Sequence, residues 1–216
     1  MFQNFDSITF NHSCRVMTLA KEYERSLGIE PYTGLITKAA LVHDIGKTYI
    51  SSSILDKRDM LQPAERELID LHAYFGYEIL KSYKVDDTIC KMVLFHHSDT
   101  PGKINGVFTI KDDEILELAK KLHTLDAFEA LTSDRPYHRH ISAVRAINML
   151  RTDDRADVDV INFLDAKVIK DEYDDLHELV SNDCIKSMMS EIVNSANTSK
   201  IHAIYRVGRL EACTVI

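Results

Sequence analysis

The sequence predicts an all-α fold, and three observations carry that prediction. Gly and Pro are scarce, seven and four in 216 residues, too few for a loop-rich β protein of this length. Leu, Ala, Lys and Glu, all good helix formers, are plentiful. Apolar residues recur every three to four positions through most of the chain, between capping residues. Hydrophobic residues make up 45% and charged residues 28%, which permits a sizeable core in one large domain, or one domain with an appendage.

The elements can be read in order. Asp6 or Asn11 can cap a first helix whose apolar face is Val16, Leu19, Ala20, Tyr23 and Leu27, with Gly28 ending it. A second helix is expected from about Thr33 to Asp44, closed by Gly46 in the position where helices favour glycine. Residues 47–62 look irregular, with a Ser51-Ser52-Ser53 run and the charged Asp56-Lys57-Arg58-Asp59. Pro63 suits the first turn of a helix, or broken pair of helices, reaching about Lys81. Further helices are expected at Asp86–His97, Asp112–Thr132, from Ser142 onward, at Asp157–Lys170 and at Tyr173–Val193. After Lys200, two short β-rich runs around Gly208-Arg209 could form a hairpin. The expected division is a main domain over 1–172 and an extension over 173–216.

The net charge of −8 is concentrated: residues 153–178 hold ten acids against three bases. Such a segment reads as a solvated face. The overall balance argues against binding a nucleic-acid polymer, which depends on neutralising phosphates with Lys and Arg. No apolar run approaches the roughly 20 residues that span a bilayer, so no membrane is expected as a partner. Cys14, Cys90, Cys184 and Cys213 form no CxxC pair. With no secretory leader recognisable, free thiols in a reducing cytoplasm are expected.

Helical placement then singles out a set of side chains. His12 falls near the start of the first helix, His43 and Asp44 at the end of the second, and Asp126 inside the long one. Three helices could each point a ligand into one cleft of a bundle. Mixed imidazole and carboxylate suit Fe, Mn, Zn or Ni better than Ca. His72 follows the irregular segment, His96-His97 sits at a helix end, and Lys47 lies one turn after Asp44. Each has a structural alternative. A His-Asp dipeptide is common, Lys47 could simply favour the negative end of its helix, and Arg135 could pair with Asp134 or Glu129. His123, one turn before Asp126, reads as a core or surface residue.

Taken in order, the blocks are His12-Ser-Cys-Arg-Val, Ala40-Leu-Val-His-Asp-Ile-Gly-Lys47, Ile54-Leu55, His72-Ala-Tyr-Phe-Gly-Tyr-Glu-Ile-Leu80, His96-His97 and Asp126-Ala-Phe-Glu-Ala-Leu-Thr-Ser-Asp-Arg-Pro-Tyr137. The chain resembles the HD-GYP family of bacterial cyclic di-GMP phosphodiesterases, within the HD superfamily of metal-dependent phosphohydrolases, over about residues 8–170. The resemblance implies an HD-type helical bundle and two divalent metal ions. Iron or manganese are the first expectation, with zinc, nickel or magnesium as alternatives. It assigns His12, His43, Asp44 and Asp126 to the basic metal site, with Asp44 bridging and catalytic. It assigns His72, His96 and His97 to a second ion. Lys47, as a catalytic and substrate-binding residue, and Arg135 would contact substrate phosphate.

The departures from the family pattern are local. After His96-His97 the chain reads Ser98-Asp99-Thr100-Pro101-Gly102-Lys103-Ile104, without the Glu, Trp-Asp-Gly and Gly-Tyr-Pro elements. Ile8 stands where some members place a third-metal glutamate, so two ions are expected. His138 replaces a usual lysine.

The expected chemistry follows from the substrate. A phosphodiester is anionic and resists water; paired cations acidify a water and neutralise the phosphate, while Lys47 and Arg135 add positive charge. The expected partner is a nucleotide, above all a cyclic dinucleotide, with a homodimer or a separate regulatory protein as further possibilities. Two other readings remain: a phosphohydrolase of nucleoside monophosphates or small phosphate esters, and a catalytically silent domain that binds a nucleotide or protein.

Overall fold

In the computed structural model, residues 7–57, 59–97, 112–134, 140–170 and 182–192 are described. Among them every regular element is helical: α1 (Ser7–Ser26), α2 (Leu35–Val42), a 3₁₀ turn (Ile45–Tyr49), α3 (Ser52–Leu55), α4 (Pro63–Asp70), α5 (His72–Ser82), α6 (Asp87–Phe95), α7 (Asp113–Thr132), α8 (Ala143–Leu150), α9 (Val158–Ile169) and α10 (Asn182–Ile192). The all-α expectation is borne out. The loop after His97, Arg135, His138 and the Lys200–Ile216 hairpin lie outside the described residues.

Local chemistry sets the boundaries. Asp86, Asp112, Ser142 and Asp157 each accept amide hydrogens of the first turn of the helix that follows, satisfying donors that have no partner inside the helix. The helix expected up to Lys81 is a broken pair joined at Leu71. Its first half starts on Pro63 behind a capping box of Gln62 and Glu65. Three details differ from expectation. Of the two caps expected for α1, Asn11 lies inside the helix, which begins at Ser7, and Asp6 lies outside the described residues. The segment 47–62 holds the end of the 3₁₀ turn and all of α3. Gly46 is not a left-handed helix stop; it lies inside the 3₁₀ turn, and its reason is close packing. A Cβ there would fall 1.9 Å from the carbonyl oxygen of His72 and 2.5 Å from the amide nitrogen of Gly76.

The long helix α7 is the hub: it packs against α1, α2, α6, α8 and α9. Its Leu122, Leu125 and Phe128 are fully buried in a cluster with Met17, Leu41, Met92 and Leu164, which Met188 and Met189 of α10 join. α5 rests on the 3₁₀ turn and on α6. α1 is locked to α2 by a buried carboxylate. Glu24 accepts hydrogen bonds from the amides of Ile36 (2.9 Å) and Thr37 (3.0 Å) and from the Thr37 hydroxyl (2.6 Å). The N-cap of α2 is Gly34, where any Cβ would collide with that carboxylate at 1.9 Å. A side chain of α1 therefore caps α2, fixing the register between the helices that carry His12 and His43. Cys14 and Cys90 are buried thiols outside any disulfide, and burial pushes the Cys90 thiol up to about 12. No described helix is long and apolar enough to cross a membrane.

Candidate metal centre

Six of the seven expected ligands are buried, which is unusual for His and Asp: His12, His43, Asp44, His72, His96 and Asp126 are all 7% exposed or less. His97 stays partly exposed. Each comes from an element end or a helix facing the hub. His43 is the C-cap of α2, and Asp44 precedes the 3₁₀ turn. His72 opens α5, His96 caps α6, and Asp126 lies on α7.

The imidazoles are oriented by one device used three times. His43 Nδ1 lies 2.8 Å from the carbonyl oxygen of Ala40, His72 Nδ1 2.7 Å from that of Ile69, and His96 Nδ1 2.6 Å from that of Val93. A carbonyl only accepts, so Nδ1 must donate in each case. In a neutral ring the Nε2 then carries a bare lone pair, and all three Nε2 atoms point into one space. His43 Nε2 lies 3.6 Å from oxygens of both Asp44 and Asp126. His72 Nε2 lies 3.4 Å from Asp44 Oδ1 and 3.4 Å from His96 Nε2. His97 Nε2 lies 3.6 Å from Asp126 Oδ2.

The polar accounting of this space does not close within the protein. Buried polar atoms normally find partners, yet His43 Nε2 and Asp44 Oδ1 have no hydrogen-bond partner among the described residues. Donor atoms of three triplets lie within 4.8 Å of one another: His12, His43 and Asp44; His43, His96 and Asp126; and His72, His96 and His97. Lone pairs of His43, His72 and His96 converging on carboxylates fit divalent cations, and the two expected ligand groups could hold two.

Protonation agrees. Burial pushes the pKa values of His72, His96 and His97 down, leaving neutral donors. Burial alone would raise Asp44 and Asp126. For Asp44 the neighbouring Lys47 and His43 outweigh burial, and for Asp126 the hydrogen bond from His12 and the nearby His43 ring do so; both stay well below the usual carboxylate range. His12 is the exception. Burial would lower it, but Asp126 at 2.8 Å from Nε2 and Glu129 at Nδ1 raise it to about 9. A cation at Nε2 would displace that proton, and Glu129 would keep the one on Nδ1.

Glu129 is a site residue that sequence reasoning misses. It sits one turn after Asp126, is buried, and pairs with His12 and Arg15 while accepting from the Ser133 hydroxyl at 2.6 Å. The available signal is the i, i+3 spacing from Asp126, which puts both carboxylates on one helix face. Lys47 is where the sequence places it, with Nζ 2.6 Å from Asp44 Oδ2. His123 lies beside the site; its ring is 5.8 Å from that of His97 and its Nε2 is 3.4 Å from Asp153.

Residues 9–131 match the family model described as HD domain. The chain belongs to the HD domain family. A 3'3'-cGAMP-specific phosphodiesterase of Vibrio cholerae is 31% identical over 175 residues, covering 78% of this chain and 37% of that protein. A cyclic di-GMP phosphodiesterase of Pseudomonas aeruginosa is 30% identical over 146 residues, covering 67% of this chain and 35% of that protein. The chain thus spans little more than a third of the length of these relatives. The HD domain of the Listeria monocytogenes phosphodiesterase PgpH, in a crystal structure, is 18% identical with a TM-score of 0.48, covering 91% of this chain and 93% of that one.

Proposed function

We propose that this HD domain is the catalytic part of a metal-dependent phosphodiesterase that opens a cyclic dinucleotide such as cyclic di-GMP or 3'3'-cGAMP. The observation that carries the metal centre is the set of three imidazoles with Nδ1 tied to backbone carbonyls and bare Nε2 atoms aimed at Asp44 and Asp126. The substrate class comes from the relatives, two of which are named for those dinucleotides.

In this reading His12, His43, Asp44 and Asp126 hold one divalent ion, His72, His96 and His97 hold the other, and Asp44 serves both. Iron or manganese are the assigned ions. Two such ions would acidify a water and neutralise the phosphate oxygens. The protein supplies the rest. The carbonyls of Ala40, Ile69 and Val93 fix the rings of His43, His72 and His96. Glu129 holds the His12 ring from behind. Lys47 keeps Asp44 ionised and lines the adjoining cleft, where its ammonium can meet a phosphate oxygen. Arg135 is assigned to substrate phosphate from its sequence block. A cytoplasmic setting accompanies this reading, consistent with Cys14 and Cys90 being in no disulfide.

The test is metal analysis of protein purified without oxygen, followed by assays with Mn(II) or Fe(II) on cyclic di-GMP, 3'3'-cGAMP and their linear products. Two ions per chain and turnover of a cyclic dinucleotide, both lost in His43→Ala, are expected. A metal-loaded protein that cleaves none of them rejects the reading. Turnover of nucleoside monophosphates instead would move it to a phosphomonoesterase.

A further inference from the structure

The cleft beside the metal centre is lined by as many acids as bases, and one of its cations has no partner among the described residues. Its volume is about 380 Å³, and Arg15, Lys47, Lys57 and Arg66 line it together with His12 and Asp44. Three of these cations are already engaged. Lys47 holds Asp44, Arg15 holds Glu129, and Lys57 grips both oxygens of Glu65 at 2.8 and 2.6 Å. The guanidinium of Arg66 has no ion pair or hydrogen bond with any described residue. Asp56, Asp59 and Asp134 also line the cleft, and none of the three forms an ion pair with Arg66.

Arg66 nevertheless stands on an anchored turn. Gln62 and Glu65 form the box that caps α4, and Lys57 ties the preceding segment to the same Glu65. From that turn Arg66 lines the cleft, with no partner among the described residues. The wall it belongs to, α4, is a different element from those that carry His12 and Asp44. Ile54, Leu55, Leu61 and Ile69 supply apolar lining.

We infer that Arg66 is a substrate-binding residue that receives the phosphate of the dinucleotide that is not being cleaved. The inference rests on the proposed function above. A cyclic dinucleotide carries two phosphodiesters; the one at the metal centre leaves the other to be met elsewhere in the cleft. A free guanidinium binds phosphate with two parallel, charge-assisted hydrogen bonds and gives up no existing ion pair to do so. Arg66 thus favours a substrate with two phosphates over a diester with one.

The test compares wild type, Arg66→Ala and Arg66→Lys, all loaded with Mn(II), on cyclic di-GMP, 3'3'-cGAMP, cyclic di-AMP and bis(p-nitrophenyl) phosphate. Calorimetry follows the binding of the same cyclic dinucleotides. Losing a charge-assisted contact should raise KM for cyclic dinucleotides roughly tenfold or more, with kcat little changed. The preference for them over the single diester should fall by a similar factor, and Arg66→Lys should recover part of it. A defect confined to guanine-containing substrates would overturn the inference in favour of a base contact. An equal loss on bis(p-nitrophenyl) phosphate would overturn it in favour of a general disturbance of the site. Unchanged KM in Arg66→Ala, with wild type active on cyclic dinucleotides, would remove Arg66 alone. Wild type that neither binds nor cleaves any cyclic dinucleotide, yet cleaves the synthetic diester, would remove the substrate assignment and this inference with it.

Discussion

The Nε2 atoms of His72 and His96 lie 3.4 Å apart, although each ring has already committed its Nδ1 hydrogen to a backbone carbonyl. Two neutral rings so held turn lone pairs towards each other, a repulsive contact that a cation between or beside them makes attractive. Burial favours the neutral form of both rings, so protonation is a poor substitute.

Metal binding should therefore stabilise the fold as well as equip it. Saturation at about 100 times Kd adds about 2.7 kcal/mol, or roughly 5–10 °C in Tm for a chain of this size. Thermal melts with and without Mn(II), and after chelation, measure this directly. His72→Ala should lower the metal content from two ions towards one, because the His12, His43, Asp44 and Asp126 group stays whole. A variant that still holds two ions would show that His72 is not a ligand.

Glu129 gives a pH signature in metal-free protein. Burial would raise its pKa, but the hydrogen bond from His12 and the charges of His12 and Arg15 bring it down to about 2. A carboxylate with a depressed folded pKa contributes stability above its unfolded value, about 4.3, and loses it as pH falls towards the folded value. Stability of the wild type should thus weaken steeply between about pH 4.5 and 2. Glu129→Gln, which cannot titrate, should be less stable at neutral pH and flatter across that window. Parallel curves for the two proteins would refute the assignment.

Residues whose chemistry is tied to their type are legible in the amino-acid sequence alone. Asp86, Asp112, Ser142 and Asp157 announce helix starts because few other side chains satisfy a first turn. His43-Asp44, His72 and His96 fall at the ends of helical patterns, where a ring can reach a carbonyl three residues back and still face inward. Glu129 and Arg66 are not legible, since an acid or a base within a helix reads as solvated surface. The packing of α7 against α1 buries the first, and only the fold brings the second into the lining of the cleft with Lys47 and Lys57. Gly46 misleads for a related reason. Glycine after a helix suggests a left-handed stop, whereas here the missing Cβ makes room for the backbone of α5, an element 26 residues further on.

That contact makes Gly46→Ala the sharpest test of how the centre is built. The new Cβ would lie 1.9 Å from the His72 carbonyl oxygen and 2.5 Å from the Gly76 amide nitrogen, both backbone atoms with no rotamer to yield. The 3₁₀ turn would have to part from α5, separating Asp44 from His72, now 3.4 Å apart. Overpacking of this kind costs about 1–3 kcal/mol, and backbone-on-backbone contact places it at the upper end. Gly28→Ala is the internal control. Gly28 has φ of +80° and nothing within 4 Å of its virtual Cβ, so the substitution incurs only backbone strain, roughly 1–2 kcal/mol. Urea denaturation with metal analysis separates the two. Gly28→Ala should lose stability and keep its metals, while Gly46→Ala should lose both, because the same displacement that relieves the clash pulls the two halves of the ligand set apart.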